Sequence, residues 1–77
     1  MNNIFRIVIG DPMNVYSIER VFKTNKPIDF FIGENGFGIA QGFNDWVKEN
    51  DPWLNEKMEE YCILEYQYYY GDSLTKI

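Results

Sequence analysis

The sequence predicts an α+β fold, a single small domain over residues 1–77 with an antiparallel sheet of about four strands and one to three short helices on one face. Three observations point there. Runs with strand character stand near both ends of the chain, at residues 4–9 and 61–70. Between them, Asp51-Pro52 opens a stretch with helical spacing. And 77 residues are too few for two cores, since a chain of this size buries only roughly 60–65% of its unfolded surface. A hydrophobic fraction of 45% and an aromatic fraction of 18% argue for a packed domain rather than disorder.

The first strand is Ile4-Phe5-Arg6-Ile7-Val8-Ile9, a β-branched run stopped by Gly10-Asp11-Pro12. Beyond it, Val15, Ile18, Val21 and Phe22 follow helical spacing, with Asn14 as N-cap and Lys23 and Lys26 near the C-terminal end, so a helix is expected over residues 14–26. The rival reading is a second strand that makes a hairpin with the first across residues 10–14. Pro27 ends this segment, and Ile28-Asp29-Phe30-Phe31-Ile32-Gly33 reads as extended. Asn35-Gly36 is a strong hairpin signal because both residues tolerate positive φ, so residues 37–41 are expected to return antiparallel to 28–33, with Gly33 and Gly38 weakening both strands. Asn44 or Asp45 can cap one short helical turn carrying Trp46 and Val47. Asp51 as N-cap and Pro52 at the first helical position open a better helix, to about Tyr61, with Leu54 and Met58 on one face. The last strand alternates: Cys62, Leu64, Tyr66, Tyr68 and Tyr70 face one way, and Tyr61, Ile63, Glu65, Gln67 and Tyr69 the other. Gly71-Asp72-Ser73 ends it, and residues 74–77 are expected to form a frayed tail.

Charge is distributed unevenly along this framework. Ten of the twelve carboxylates fall between Pro27 and Asp72, where only Lys48 and Lys57 oppose them. A folded surface of that sign repels nucleic acid and attracts basic proteins at long range. Direct nucleic-acid binding is therefore not expected. The absence of histidine removes the commonest general base and metal ligand, and a single cysteine, Cys62, excludes an internal disulfide and a cysteine-clustered zinc site. Cys62 is expected to be a small buried residue. Gly33-Glu34-Asn35-Gly36-Phe37-Gly38 is glycine-rich but matches neither a phosphate loop nor a dinucleotide fingerprint. No catalytic residue, metal site or cofactor is expected, and an enzyme is disfavoured. With no apolar stretch near the ~20 residues of a membrane span and no secretory h-region, a cytoplasmic protein without membrane association is expected.

The candidate partner-binding residues are Asp45, Glu49, Asp51, Glu56, Glu59, Glu60 and Glu65, with Trp46 and Trp53. Glu56, Glu59 and Glu60 stand at i, i+3 and i+4 and share a helix side, where their mutual repulsion would be relieved by a partner's cations. Acidic helix faces commonly serve solubility alone, and tryptophans in small domains commonly fill the core. The functional alternative is that carboxylates on a fixed scaffold stand in for phosphates, with the tryptophans as aromatic anchors that also offer cation–π contacts to arginine. The tyrosines of the last strand are ordinary strand-filling residues, yet an uncovered tyrosine face would mark self-association, so a homodimer through that strand is a further expectation.

In its length, its lack of histidine and disulfide, and the aromatic-rich acidic stretch from Phe43 to Glu60, the chain resembles the small acidic early proteins with which bacteriophages disable host DNA-binding proteins. These include nucleoid-protein inhibitors, nuclease inhibitors and anti-CRISPR proteins. The resemblance implies a DNA-mimicking inhibitor whose acidic face occupies the basic DNA site of a host protein such as a histone-like HU dimer, a polymerase subunit or a nuclease. The alternative is a structural or adaptor protein that assembles through an exposed strand edge and a tyrosine-rich face.

Overall fold

The computed structural model describes residues 3–13, 16–36 and 38–71. Asn14 and Val15, on which the expected helix start falls, Phe37 of the expected return strand, and residues 72–77, which include the tail expected at 74–77, lie outside the described residues. The fold is α+β as the sequence predicts, and the described residues form three antiparallel strands rather than four, with three helices. The chain divides into two compact units, a strand unit of residues 1–25 and 61–77 and a helical unit of residues 26–60.

The strand unit is a sheet of order β2-β1-β3, with β1 (Asn3–Gly10) at its centre, β2 (Ser17–Thr24) on one side and β3 (Cys62–Tyr69) on the other. Its apolar run places β1 between two partners, and Phe5, Ile7 and Ile9 are completely buried. The register sets them on one face with Ile18, Arg20 and Phe22 of β2 and Ile63, Tyr66 and Tyr68 of β3. The opposite face carries Ile4, Arg6 and Val8, with Glu19, Val21 and Lys23 on one side and Glu65, Gln67 and Tyr69 on the other.

The helix expected over 14–26 is not there. Residues 17–24 form β2, the hairpin of the rival reading, and Asp11 N–H donates to the Tyr16 carbonyl at 3.3 Å where that hairpin closes. Ile18 and Phe22 belong to a period of two as well as to one of 3.6, and β1 offers this segment a full ladder of backbone hydrogen bonds that a short amphipathic helix lacks. Gly10 is required at the corner. A Cβ there would collide with the Tyr16 carbonyl oxygen and lie 3.0 Å from Ser17 Cα.

β3 runs as expected, but a register shift opposite Val8 and Ile9 inserts Leu64, so Ile9 pairs with Ile63 while Val8 pairs with Glu65. This bulge reverses the alternation below it. Ile63 therefore joins the face of Tyr66 and Tyr68, and Cys62, opposite Gly10, is exposed rather than buried. The far end of β3 is tied to β1 by Asn3, whose Nδ2 donates to the Tyr68 hydroxyl at 2.8 Å and whose Oδ1 accepts from Gly71 N–H at 2.7 Å.

In the helical unit the expected hairpin of residues 28–33 and 37–41 is reduced to one bridge, Ile32 to Ile39. Pro27 precedes a single helical turn, α1 (Ile28–Phe31), and Phe30 N–H donates to the Pro27 carbonyl at 3.0 Å. A 3₁₀ turn at Glu34–Gly36 follows. Gly36 adopts φ +76° as the Asn-Gly signal anticipates, but Gly38 also takes φ +70°, and this second left-handed residue turns the chain away before a ladder can extend. Ala40 then leads into α2 (Gln41–Asn50), four to five residues earlier and much longer than the single turn expected from a cap at Asn44 or Asp45. Ala40 has no capping side chain, so nothing in the sequence marks that start. Gly42 permits the close approach of α1, since a Cβ there would sit 2.9 Å from Phe30 Cδ1. Phe31, Phe43 and Val47 are buried, and Phe31 and Phe43 rings meet at 5.5 Å.

Asp51 alone joins α2 to α3 (Pro52–Glu60). Its N–H donates to the Val47 carbonyl at 2.8 Å, ending α2, while its Oδ1 accepts the Leu54 N–H at 3.1 Å, capping α3 as expected. Leu54 is completely buried.

Candidate functional site

The two units differ in charge. Residues 26–60 hold eight carboxylates against three lysines, a net charge of −5, and the remaining residues hold four of each sign. The whole formal charge of the chain, −5, is thus that of the helical unit.

Helix periodicity fixes where these acids stand. On α2 the buried Phe43 and Val47 define one side, and Asp45 and Glu49, a turn apart, lie exposed on the other with Lys48. Asp45 accepts a hydrogen bond from Gln41 Nε2 at 2.8 Å. On α3 the side away from Leu54 carries Glu56, Glu59 and Glu60, all exposed, so the expected sharing of one helix side is met. Asn55 Nδ2 donates to Glu59 at 2.9 Å, and Lys57 Nζ reaches Glu60 at 3.6 Å. Among the described residues the carboxylates of Glu49 and Glu56 make neither a hydrogen bond nor an ion pair.

The tryptophans are not core residues. Trp46 is 37% and Trp53 45% exposed, against complete burial of Phe43, Val47 and Leu54 on the same two helices. Trp46 stacks on Phe43 with ring centroids 6.2 Å apart and planes 13° from parallel, so one side of its indole is supported by the core. Lys57 lies 5.8 Å from the Trp53 ring centroid. Beside Trp46, Asp45 and Glu49 a shallow hollow of about 550 Å³ opens, bounded also by Phe30, Lys26 and Lys48. Its rim carries two carboxylates and two lysines, and Lys26 already lies 5.5 Å from the Phe30 ring centroid, so the hollow itself is balanced in charge.

Two of the sequence candidates serve other purposes. Asp51 is half-buried, and its carboxylate is committed to the α3 cap. Glu65 belongs to the strand unit, where it holds Arg6. The remaining seven, Asp45, Trp46, Glu49, Trp53, Glu56, Glu59 and Glu60, all belong to α2 and α3.

The sequence reading missed the cluster around Arg6. On the outer face of the sheet its Nε lies 2.5 Å from Glu19, and its Nη1 bonds Glu65 and, at 3.0 Å, Gln67. The Glu65 and Glu19 hydrogen bonds, in that order, raise the Arg6 pKa above its ordinary value, so the guanidinium is charged at every working pH. A sequence signal for the cluster existed in Arg6, Glu65 and Gln67, but Glu19 joins it only once residues 17–24 are placed as a strand.

Among the described residues no group of three or more histidine, cysteine, aspartate or glutamate side chains could hold a metal ion, and no helix is long and apolar enough to cross a membrane. No known protein family, curated protein or solved structure matches the chain.

Proposed function

We propose that the helical unit is a protein-binding module that takes the place of DNA on a basic partner, and that the chain acts as a stoichiometric inhibitor of a host DNA-binding protein in the bacterial cytoplasm. The observation that carries this reading is the pairing of charge and exposure: five carboxylates on the solvent sides of α2 and α3, in a unit of net charge −5, flanked by two half-exposed tryptophans. Acids kept for solubility need no aromatic company, whereas a binding surface needs anchors that bury area at low rotamer cost. Charge steers the encounter, and the tryptophans hold the complex. No chemistry is required of the site, and no cofactor enters.

The test uses a basic partner captured from bacterial lysate at low salt and identified by mass. Replacing Glu56, Glu59 and Glu60 together by glutamine removes three charges from one side of α3 while leaving Leu54 and the Asp51 cap in place. The variant keeps its helical circular dichroism and loses the partner. Equal capture by the variant and the parent overturns the assignment of the surface.

A further inference from the structure

We propose that the outer edge of β2 pairs with β2 of a second copy of this chain, antiparallel about a two-fold axis at Val21, to make a continuous six-stranded sheet. This surface belongs to the strand unit, and the proposal is independent of the charge-mimicry reading.

Three observations carry it. First, the edge is open and regular. β2 holds eight residues without a bulge or a proline, in contrast to β3, whose edge is kinked at Leu64, and among the described residues no backbone hydrogen bond reaches Ser17, Glu19, Val21 or Lys23 from outside the ladder with β1. Second, the parity of that ladder shows which groups point outward. Asp11 N–H bonds the Tyr16 carbonyl, so the hydrogen-bonded pairs with β1 fall at Ile18, Arg20, Phe22 and Thr24. The N–H and C=O groups of Ser17, Glu19, Val21 and Lys23 then face away from β1. Third, the sequence of the edge is self-complementary. An axis at Val21 sets Glu19 of each copy opposite Lys23 of the other, Arg20 opposite Phe22, and Val21 opposite itself. Charged residues on an edge strand ordinarily discourage pairing, and they do so when like charges meet. Here Glu19 keeps its Oε2 on Arg6 and turns its other oxygen to Lys23, so two ion pairs form on one face, while Arg20 lies opposite Phe22 twice on the other. The same register pairs the outward backbone groups of Glu19, Val21 and Lys23 with those of the second copy. Val21, 50% exposed in the isolated chain, is covered at the axis.

The test is the mass of the full chain by sedimentation equilibrium as its concentration is raised, with amide hydrogen exchange on the same samples. The expected result is a mass that rises from 9.2 kDa to twice that value, with new protection at Glu19, Val21 and Lys23 and none along β3. Val21→Pro removes an N–H that β1 does not use, so it is expected to keep the monomer fold and abolish the dimer. Lys23→Glu sets two pairs of glutamates face to face and is expected to weaken dimerisation at least tenfold, an effect that decides the matter if the proline variant does not fold. A chain that stays at 9.2 kDa at all concentrations, a dimer untouched by Lys23→Glu, or protection along β3 instead of β2 would each overturn the proposal.

Discussion

Arg6 shows how much of this molecule's order rests on single side chains. It stands at the middle of the central strand and ties both edge strands across one face, to Glu19 of β2 and to Glu65 and Gln67 of β3. A guanidinium reaches these acceptors at once because its donors are fixed in a planar fork, which an ammonium cannot imitate. Arg6→Lys is therefore expected to lower the melting temperature, and Arg6→Ala to lower it further, in thermal scans followed by circular dichroism. The raised pKa fixes the pH behaviour. A cation whose folded-state pKa exceeds its ordinary value contributes stability that is complete below that ordinary value and is lost only as pH rises through the folded one. The Arg6 contribution is thus constant from neutral to moderately alkaline solution, and the melting difference between wild type and Arg6→Ala is expected to be the same at pH 7 and pH 9. Asp51 is the second such residue, and its role as cap was legible in the sequence because Asp-Pro ahead of an amphipathic stretch has a direct physical meaning. Asp51→Ala is expected to cost about 1 kcal/mol, read as a lower urea midpoint, with Asp51→Asn close to wild type. The Arg6 cluster escaped the sequence reading because its partners come from two other strands, and Glu19 meets Arg6 only when residues 17–24 are a strand.

Among the elements, those whose signals agree at every level were read correctly from sequence, and those with conflicting signals were not. β1, β3 and α3 have one periodicity each and clear stops. Residues 17–24 fit two periods, and the choice between them lay with β1, which supplies the hydrogen-bond partner. The segment 28–33 has strand propensity, but among the described residues it pairs only through the bridge at Ile32, and propensity without pairing does not make a strand. α2 begins at an uncapped alanine, so its first turn had no signal. The bulge at Leu64 was equally hidden, and with it the exposure of Cys62. Gly10→Ala tests the tightest corner of the sheet. The new methyl meets backbone, which cannot step aside, and the expected loss is about 1–3 kcal/mol in chemical denaturation. Leu54→Ala empties a fully buried site of the helical unit and is expected to cost about 2–5 kcal/mol. For a chain of this size, with total stability on the order of 4–12 kcal/mol, that loss brings the protein close to unfolding at physiological temperature.

At the scale of the whole molecule, charge and architecture are divided along the same line. The strand unit is neutral and the helical unit carries the full −5, so the acidity noticed in the sequence is a property of one structural unit rather than of the chain at large. Of the nine residues singled out from sequence, seven lie on α2 and α3, where the acids are driven to the solvent side by the same periodicity that buries Phe43, Val47 and Leu54. The two that do not, Asp51 and Glu65, were chosen for charge alone, which cannot distinguish a carboxylate offered to a partner from one already engaged within the fold. Long-range steering by such a surface falls with ionic strength, since exposed charges are screened beyond about 8 Å at physiological salt. The association rate with a basic partner is accordingly expected to drop steeply between low and physiological salt in stopped-flow mixing, with a smaller change in the dissociation rate that the tryptophans govern.

The central claim, that the helical unit occupies a partner's DNA site, is tested most directly by displacement. The immobilised chain is loaded with its captured partner at low salt and challenged with duplex DNA at constant ionic strength. Competitive release of a basic DNA-binding protein, with an apparent affinity that falls in proportion to the DNA added, is the predicted result. A partner that stays bound while DNA binds alongside it would contradict the claim.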